Sequence, residues 1–588
     1  MIPEPEICRR TPHPDIEAHC RDRGMTPLQA RIAAARLSPD DPVDAILDPR
    51  LRHLQSPDQL RDADCAARLI ADAVMAGEHI ALATDYDADG VTAAWVLREA
   101  LVKHFGHPDA KTHVFLNARA NGYGLNDTQV DQILAQHARA PIGLVITADQ
   151  GGCDEPRIRR LKEAGIRICV TDHHQLSAEG PPPSADCVVN PQREDCDYDT
   201  AVAGCMVAFL VASQARRELI HRGHLPQDAP TLKPLLGKVA LGTIADSVSL
   251  KSPNNRAVVR AGLRLINQLD HPVWQAVQRF TRSRGWLDES FLAFEVATRI
   301  NAASRVNDVR LALEFLSAET PQAALEALRS LEKDNRYRKA QQQTLMEQAH
   351  RQARAQVAKG KRTLTLVLRG TPGIQGIVAQ RIGEQFSRPT VAFTDLEDGT
   401  LAGSGRGIAA GLDLNAAFTW MAAQAPDLFL SMGGHAGAAG CMIPSDRAEH
   451  FARLLEEAVA LQLGDRPPRR MLYSDGELAP QQLHPGLLQE IGFLAPYGQG
   501  WPQPRFDNVF EVIDSRVVGT DRSHLSLTLR LPGGGDYRAI YFNGQGDHGE
   551  TPRLLPGQRI RACYAPTLSQ FAGRQQFQLR IEWAGAES

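Results

Sequence analysis

Residues 79–90 read HIALATDYDADG, and this stretch indicates both the fold and the chemistry of the chain. The apolar run His79–Ala83 has the length and composition of a buried strand. Asp85, Asp87 and Asp89 follow at every second position, and Gly90 comes directly after them. Repulsion and desolvation both disfavour grouped carboxylates at the end of a buried strand. The arrangement therefore predicts a bound divalent cation, which would neutralise these charges.

The same pattern recurs further along the chain. TADQGG (Thr147–Gly152) and TDHHQ (Thr171–Gln175) each follow an apolar run, and TIADS (Thr243–Ser247) closes a helical pattern. Ligands in open α/β sheets bind beyond the carboxyl ends of the parallel strands. We therefore expect one crevice to collect the side chains of Asp85, Asp87, Asp89, Asp149, Asp172, His173, His174 and Asp246.

These residue types favour one class of metal. Carboxylates with one or two imidazoles and no thiolate suit Mn²⁺ or Mg²⁺ better than a structural zinc. Two such ions roughly 3.5–4 Å apart can activate a water and stabilise an in-line displacement at phosphorus. A lone Asp after a strand is more often a helix N-cap, and adjacent histidines are more often surface loop residues. The repetition after separate apolar runs favours the metal site.

Length and composition limit the class of protein. The 588 residues are too many for one core, and 43% hydrophobic with 23% charged residues is ordinary for a globular protein. No apolar run approaches the ~18 residues of a membrane helix, and the N-terminus lacks a signal peptide. We therefore expect a cytoplasmic protein with no membrane partner. The ten cysteines form no CxxC pair, which argues against a zinc ribbon. With a net charge of -4, any positive surface for nucleic acid must be local.

Periodicity predicts several domains. From about residue 60, strand and helix patterns alternate, which indicates a parallel sheet. Residues 321–359 contain no Gly and no internal Pro, and they predict one long charged helix. A second α/β pattern contains GSGRG (Gly403–Gly407) and GGHAGAAG (Gly433–Gly440), of which GSGRG alone predicts a turn. After about residue 500, period-two segments separated by turns predict a small β-barrel or sandwich.

In this order the motifs resemble those of the DHH phosphoesterase superfamily. DYDADG, ADQGG, the DHH triplet and LGTIAD are similar to motifs of its DHH domain, and the two glycine-rich stretches resemble its DHHA1 domain. NGYGLN (Asn121–Asn126), RINAASR (Arg299–Arg305) and APYGQG (Ala495–Gly500) resemble segments of its bacterial single-strand-specific 5′→3′ DNA exonucleases. The resemblance runs from about residue 20 to the end of the sequence.

The resemblance implies an α/β multidomain architecture. We expect an N-terminal segment (1–59), a DHH domain with a parallel sheet (60–275) and a helical region ending in a long connecting helix (276–359). An α/β DHHA1 domain (360–470) and an OB-like β-barrel that binds single strands (471–588) would follow.

The resemblance also implies roles for individual residues. Two Mn²⁺ or Mg²⁺ ions would be held by Asp85, Asp87, Asp89, Asp149, His173 and Asp246. His174 would face the substrate phosphate, and Asp172 would orient the histidines. The catalytic residues would then be His174, Asp172 and Asp149. The groups expected to grip phosphates are Arg119, Arg305, Ser404, Arg406 and His435.

The implied function is metal-dependent 5′→3′ degradation of single-stranded DNA to mononucleotides in repair and recombination, with a helicase and a single-strand-binding protein as candidate partners. One alternative is a DHH–DHHA1 phosphodiesterase for oligoribonucleotides or cyclic dinucleotides; the β-rich C-terminus argues against it. The other is a non-enzymatic scaffold, although such relatives lose metal ligands and this chain keeps them. The chain departs from the family pattern at Gln150, Ser304, Gly370, Thr371 and Trp501.

Overall fold

The computed structural model describes residues 4–283, 285–370, 373–520, 522–546, 552–571 and 574–587, so Thr371 lies outside the described residues. The helices are α1 (Pro14–Asp22), α2 (Pro27–Ala34), α3 (Val43–Leu47), α4 (Ala63–Ala76), α5 (Ala88–Glu99), α6 (Asp127–Arg139), α7 (Glu155–Glu163), α8 (Gly204–His221), α9 (Leu236–Ala245), α10 (Pro253–Gln268), α11 (Pro272–Thr281), α12 (Glu289–Phe291), α13 (Thr298–Val306), α14 (Arg310–Ser317), α15 (Pro321–Ala358), α16 (Gln375–Phe386), α17 (Leu414–Gln424), α18 (Ala448–Leu463) and α19 (Leu487–Gly492).

The strands follow one another along the chain as β1 (Glu6–Arg9), β2 (His79–Thr84), β3 (Thr112–Leu116), β4 (Ile142–Ala148), β5 (Arg167–Thr171), β6 (Cys187–Val189), β7 (Leu364–Leu368), β8 (Thr390–Asp395), β9 (Thr400–Arg406), β10 (Ser431–His435), β11 (Ala438–Pro444), β12 (Met471–Ser474), β13 (Phe506–Val518), β14 (His524–Arg530), β15 (Asp536–Tyr541), β16 (Arg559–Phe571) and β17 (Arg574–Ala586). β1 and β12 pair in parallel with each other.

The chain divides into two compact units. The parallel-sheet unit comprises residues 42–339 and 496–502, and the barrel unit comprises residues 1–41, 340–495 and 503–588. The division falls within the long helix α15, whose predicted extent is confirmed. No helix among the described residues is long and apolar enough to cross a membrane.

The parallel-sheet unit is built on five parallel strands in the order β3-β2-β4-β5-β6. The last residues of neighbouring strands are in register: Thr84 pairs with Ala148, and Ala148 pairs with Thr171. The residue after each strand therefore falls in one row along the carboxyl edge. This row is Asn117, Asp85, Asp149, Asp172 and Asn190.

Three helices pack together behind this edge: α5, α8 and α9. α5 begins where the Asp87 side chain accepts hydrogen bonds from the backbone of Asp89 and Gly90, so Asp87 is its N-cap. α9 is capped at its C-terminal end by Asp246. Helix termini thus bring two of the predicted ligand positions to the carboxyl edge.

A buried lysine joins α9 to α5. Lys238 Nζ lies 2.6 Å from His271 Nε2 and 3.8 Å from the centre of the Trp95 ring. The backbone N–H of Val273 donates to His271 Nδ1, so the neutral ring carries its proton on Nε2 and the amine accepts it. Burial lowers the pKa of Lys238 from 10.5 to about 7. Lys238 is thus best accommodated as a neutral amine.

Replacing Lys238 with Met is expected to stabilise the protein below about pH 7. The unfolded chain binds this proton more tightly than the fold, so the cost of protonating the buried amine is complete below pH 7 and is relieved as pH rises toward 10.5. The gain should be about 5 kcal/mol in acid and should shrink at alkaline pH. Urea unfolding across this range measures it, with the exposed Lys233→Met as control. Equal destabilisation of Lys238→Met at every pH would contradict the assignment.

The barrel unit contains a mixed sheet and a closed barrel. The sheet has the order β10-β11-β9-β8-β7, and the barrel closes as β13-β14-β15-β17-β16, which confirms the predicted C-terminal barrel. The prediction of a turn at GSGRG was wrong, because Gly403–Arg406 belong to strand β9. A Cβ on Gly403 would lie 2.4 Å from the Phe393 ring, so this glycine provides space for core packing rather than a turn conformation.

Candidate metal centre

Asp149 holds the central position of the site and has an unusual backbone. It follows β4, the middle of the three strands that carry the acidic motifs, and its φ of 61° is left-handed. Such conformations are costly outside glycine and cluster at functional sites. A Cβ on Gly204 would lie 2.5 Å from Asp149 Oδ1, so the first residue of α8 must be glycine for this carboxylate to fit.

Asp89 is held by the N-terminus of α8. The backbone N–H groups of Gly204 and Cys205 donate to its two carboxylate oxygens at 2.7 and 3.1 Å. Free N–H groups and the helix dipole both favour a negative charge there. Residues 203–209 (AGCMVAF), which begin α8, therefore supply backbone support for a predicted metal ligand, a role that their side chains do not reveal in the sequence.

The predicted ligands, together with His174, form three overlapping groups, each with its potential ligand atoms within 4.8 Å of one another. The groups are Asp85–Asp87–Asp149, Asp89–His173–Asp246 and Asp149–His173–His174. Asp149 and His173 each belong to two groups. This overlap fits two ions that share ligands.

Two buried atoms at the centre of these groups support the presence of a cation. Asp149 Oδ1 and His173 Nε2 lie 3.1 Å apart, yet neither forms a hydrogen bond with any described residue. Buried polar atoms without partners are rare in folded proteins. A divalent cation would satisfy both atoms, and an oxygen-rich set with imidazole suits Mn²⁺ or Mg²⁺. The donor set thus fits the expected metals.

Without a cation, the surroundings of these carboxyl groups disfavour their ionisation. Burial and the neighbouring Asp87 charge raise the pKa of Asp85 to about 8. Burial and the Asp89 charge raise the pKa of Asp246 to about 8. Burial also raises the pKa of Asp89 and that of Asp149, the latter strongly.

The metal-free protein should therefore lose stability as pH rises from about 4 to about 8. In this window the fold binds protons that the unfolded chain has already released, so the stabilisation present in acid is lost with rising pH. The loss should be on the order of several kcal/mol. Melting curves in chelator across this range measure it. Mn²⁺ should restore stability at the upper end, and Asp85→Asn should flatten the profile. A profile rising with pH in chelator would contradict the clustering.

Asp172 organises the two histidines. Its Oδ1 accepts hydrogen bonds from the backbone of His173 and His174 and, at 2.8 Å, from His174 Nδ1. Burial opposes protonation of His174, but this hydrogen bond and the Asp172 charge outweigh it and raise the pKa of His174 to about 9. Tyr123 Oη lies 2.5 Å from the same Nδ1 atom. Tyr123, from NGYGLN, is a site neighbour that the sequence did not single out.

Two of the predicted phosphate-binding arginines lie in the same unit as the acidic residues. The Arg119 guanidinium stacks on the ring of Tyr86, 4.3 Å from the ring centre. Tyr86 stands between Asp85 and Asp87 in the sequence. Its buried Nε has no hydrogen-bond partner among the described residues. Burial, and then the charge of Arg119, lowers the pKa of Arg305 to about 10. The two cations therefore lie near each other beside the acidic row.

Ser404, Arg406 and His435 belong to the barrel unit. Arg406 Nη1 donates to Ser404 Oγ at 3.0 Å and to the Gly405 carbonyl at 2.7 Å. A Cβ on Gly376, near the start of α16, would lie 2.9 Å from both Arg406 Nη2 and Ser404 Oγ. His435 pairs in register with Ala438, which pairs with Arg406, so His435 lies two strands away on the exposed strand β10.

Three of the departures from the family pattern are buried. Gln150 donates to Gln129 Oε1 at 2.9 Å, and Ser304 donates to the Asn301 carbonyl at 3.2 Å. Trp501 is fully buried, with the Arg256 guanidinium 4.7 Å from its ring centre. These side chains are integrated into the fold rather than left exposed.

The chain matches known families along most of its length. Residues 79–243 match the DHH family N-terminal domain, residues 360–461 the DHHA1 domain, and residues 474–583 the RecJ OB domain. The single-stranded-DNA-specific exonuclease RecJ of Haemophilus influenzae is 30% identical over 564 residues, covering 91% of this chain and 93% of that protein.

Solved structures agree. RecJ from Thermus thermophilus in complex with Mn²⁺ is 26% identical, with a TM-score of 0.77, covering 99% of this chain and 79% of that one. The same protein with Mg²⁺ is 24% identical with a TM-score of 0.69, covering 99% and 78%. These matches confirm the predicted superfamily and the order of its domains. The chain belongs to the RecJ family, whose curated relatives are named single-stranded-DNA-specific exonucleases.

Proposed function

We propose that this chain digests single-stranded DNA from the 5′ end and releases 5′-mononucleotides, in DNA repair and recombination. The observation that carries the proposal is the row of in-register strand ends, which brings Asp85, Asp149 and Asp172 to one edge with His173 and Asp246. Asp85, Asp87, Asp89, Asp149, His173 and Asp246 would hold two ions. When bound, Mn²⁺ or Mg²⁺ supplies Lewis-acid activation of water and of the scissile phosphate.

The chain's own groups around this edge prepare it for an anionic substrate. Asp172 fixes the His174 ring, and the side chain of His174 is 39% exposed, so a phosphate oxygen can reach it. An oriented imidazolium stabilises the negative charge that develops on phosphorus. Arg119 is held flat by Tyr86 and adds a planar positive charge beside the acidic row. Arg305, near Arg119, adds positive potential.

Ser404 and Arg406 are our candidates for recognising the strand end. An exonuclease needs a group that distinguishes a terminus from an internal phosphate. A hydroxyl and a guanidinium beside the N-terminal turn of a helix form an anion site, because charge-assisted hydrogen bonds and the helix dipole act together. The exposed His435 would add a further contact to the nucleotide.

The barrel would supply affinity for long strands. OB-folds bind single strands through positive grooves and exposed aromatic rings. Of the barrel residues with suitable chemistry, Arg538 is exposed and Arg580 and Trp583 are half-buried, whereas Tyr541 is only 8% exposed and is not available for stacking. We also place the protein in the cytoplasm, with a helicase and a single-strand-binding protein as partners. The proposed domains end at residues 59, 275, 359 and 470, and the last domain runs from there to the C-terminal residue.

A polarity assay tests the function. The full chain with Mn²⁺ should release labelled mononucleotide at once from 5′-labelled single strands and only late from 3′-labelled ones, and a blunt duplex should resist. Faster turnover of a diribonucleotide or cyclic dinucleotide than of a long DNA strand would favour the phosphodiesterase alternative. Absence of hydrolysis on every substrate, with Mn²⁺ and with Mg²⁺, would favour the scaffold.

A further inference from the structure

We propose that Cys65 and Cys187 form an oxidation-sensitive dithiol in the parallel-sheet unit, which closes to an intramolecular disulfide. The site is separate from the metal ligands. Cys65 lies in the first turns of α4, and Cys187 is the first residue of β6. All ten cysteines are free thiols, so closure requires a chemical step.

The packing of α4 on β6 brings the two cysteines together. Cys65 Sγ lies 3.8 Å from the carbonyl of Asp186, the residue before Cys187. The residue after Cys187 is tied to the same helix end, because the Val188 N–H donates to Asp62 Oδ2 at 3.2 Å. Contacts on both sides of Cys187 thus position its thiol close to that of Cys65, near enough for each thiol to affect the pKa of the other.

A third thiol lies on the far side of Cys187. Cys169 in β5 is its register partner across the parallel pair. Cys169 is fully buried and Cys187 is 3% exposed, whereas Cys65 is only half-buried. Cys65 is therefore the thiol that an oxidant reaches first, and Cys187 is the resolving thiol.

The chemistry is thiol–disulfide exchange with a low-molecular-weight disulfide. The Cys65 thiolate attacks one sulfur of the small disulfide, forms a mixed disulfide and releases one small thiol. Cys187 then loses its proton and attacks the Cys65 sulfur, forming the protein disulfide and releasing the second small thiol. Two protein thiols are oxidised and one small disulfide is reduced. Neighbouring thiols and burial raise the pKa of both cysteines, so the reaction should accelerate with rising pH.

Closure of the disulfide would disturb the hydrogen bonds that hold the DHH triplet, Asp172–His174, in place. The Val189 carbonyl, two residues after Cys187, accepts a hydrogen bond from the Asp172 N–H at 3.1 Å. The Asn190 side chain donates to the His174 carbonyl at 2.9 Å. A bond that pulls Cys187 toward α4 would shift both contacts. Assuming the proposed exonuclease function, the oxidised protein should be slower by roughly 10-fold, as when outer partners of metal ligands are altered.

The test uses the full chain treated with oxidised glutathione at mildly alkaline pH, digested without reductant and examined by mass spectrometry. We expect a peptide pair linked through Cys65 and Cys187, lost in Cys65→Ser and in Cys187→Ala and reversed by dithiothreitol. Cys196→Ser is the matched control, since Cys196 is also half-buried and its sulfur contacts the backbone of Gln59 and Arg61. The control should retain the link.

The proposal is overturned if glutathione adducts form without a protein disulfide. A disulfide between Cys169 and Cys187, in place of one between Cys65 and Cys187, would also overturn it. The mass readout needs no nuclease activity, so it remains decisive if the proposed function fails. In parallel, the rate on single strands should fall on oxidation in the natural chain and not in Cys65→Ser. A complete link with an unchanged rate would overturn the coupling to the DHH triplet.

Discussion

Replacing Asp149 with Asn is expected to lower the rate of single-strand digestion by at least about 10³-fold while the protein stays folded. Asp149 belongs to two of the three ligand groups, and its unpaired Oδ1 faces His173. An amide keeps the shape and tolerates the left-handed backbone, but it lacks the charge that a shared cation requires. Steady-state rates in Mn²⁺, with calorimetric titration of Mn²⁺ binding, measure the effect.

The metal-free Asp149→Asn variant should be at least as stable as the natural chain at pH 8, since a neutral amide avoids the cost of protonating the carboxyl, or of burying its charge, on folding. Asp154→Asn is the matched control. Asp154 lies in the same loop and accepts a hydrogen bond from the Leu125 N–H, which an amide oxygen can still accept. The control should keep its rate. Near-normal hydrolysis by Asp149→Asn would rule out a shared-metal role for this residue.

Replacing Arg406 with Ala is expected to slow digestion of 5′-phosphorylated strands by about 10²-fold and that of 5′-hydroxyl strands by less than about 10-fold. Charge-assisted hydrogen bonds to a desolvated phosphate contribute roughly 1.5–3 kcal/mol each, and a planar guanidinium can make two. Arg406 is already oriented by Ser404 and the Gly405 carbonyl, so its free face is fixed before substrate binds. Rates on both strands, beside a melting curve, measure the preference.

Two further variants sharpen this test. Arg406→Lys should rescue only part of the preference, because a point charge does not replace the planar fork. Gly376→Ala should resemble Arg406→Ala, since its Cβ would press on the guanidinium and on Ser404 Oγ. Arg381→Ala, an exposed arginine of the same helix α16, should change neither rate. If Arg406 only stabilised the sheet, both strands would slow together as the melting temperature fell.

The sequence by itself determined the acidic site and the domain order. Asp85, Asp149 and Asp172 could be identified because each directly follows an apolar run with the length and composition of a buried strand, and parallel strands end at one edge. The long helix α15 and the C-terminal barrel were predictable for the same reason, since periodicity and turn residues act over short stretches of chain.

The tertiary structure alone decided what surrounds these residues. The N–H groups that hold Asp89 come from the start of α8, and backbone donors have no sequence signature. The glycines of GSGRG were misread because glycine serves both turns and close packing, and only the position of the Phe393 ring distinguishes the two. The burial of Lys238 and the approach of Cys65 to Cys187 likewise depend on contacts between segments distant in the chain. The local sequence pattern specifies each helix and strand and the predicted ligands at its end. Packing between elements distant in the chain sets the burial and hydrogen bonds around those side chains, and these determine their charge and reactivity.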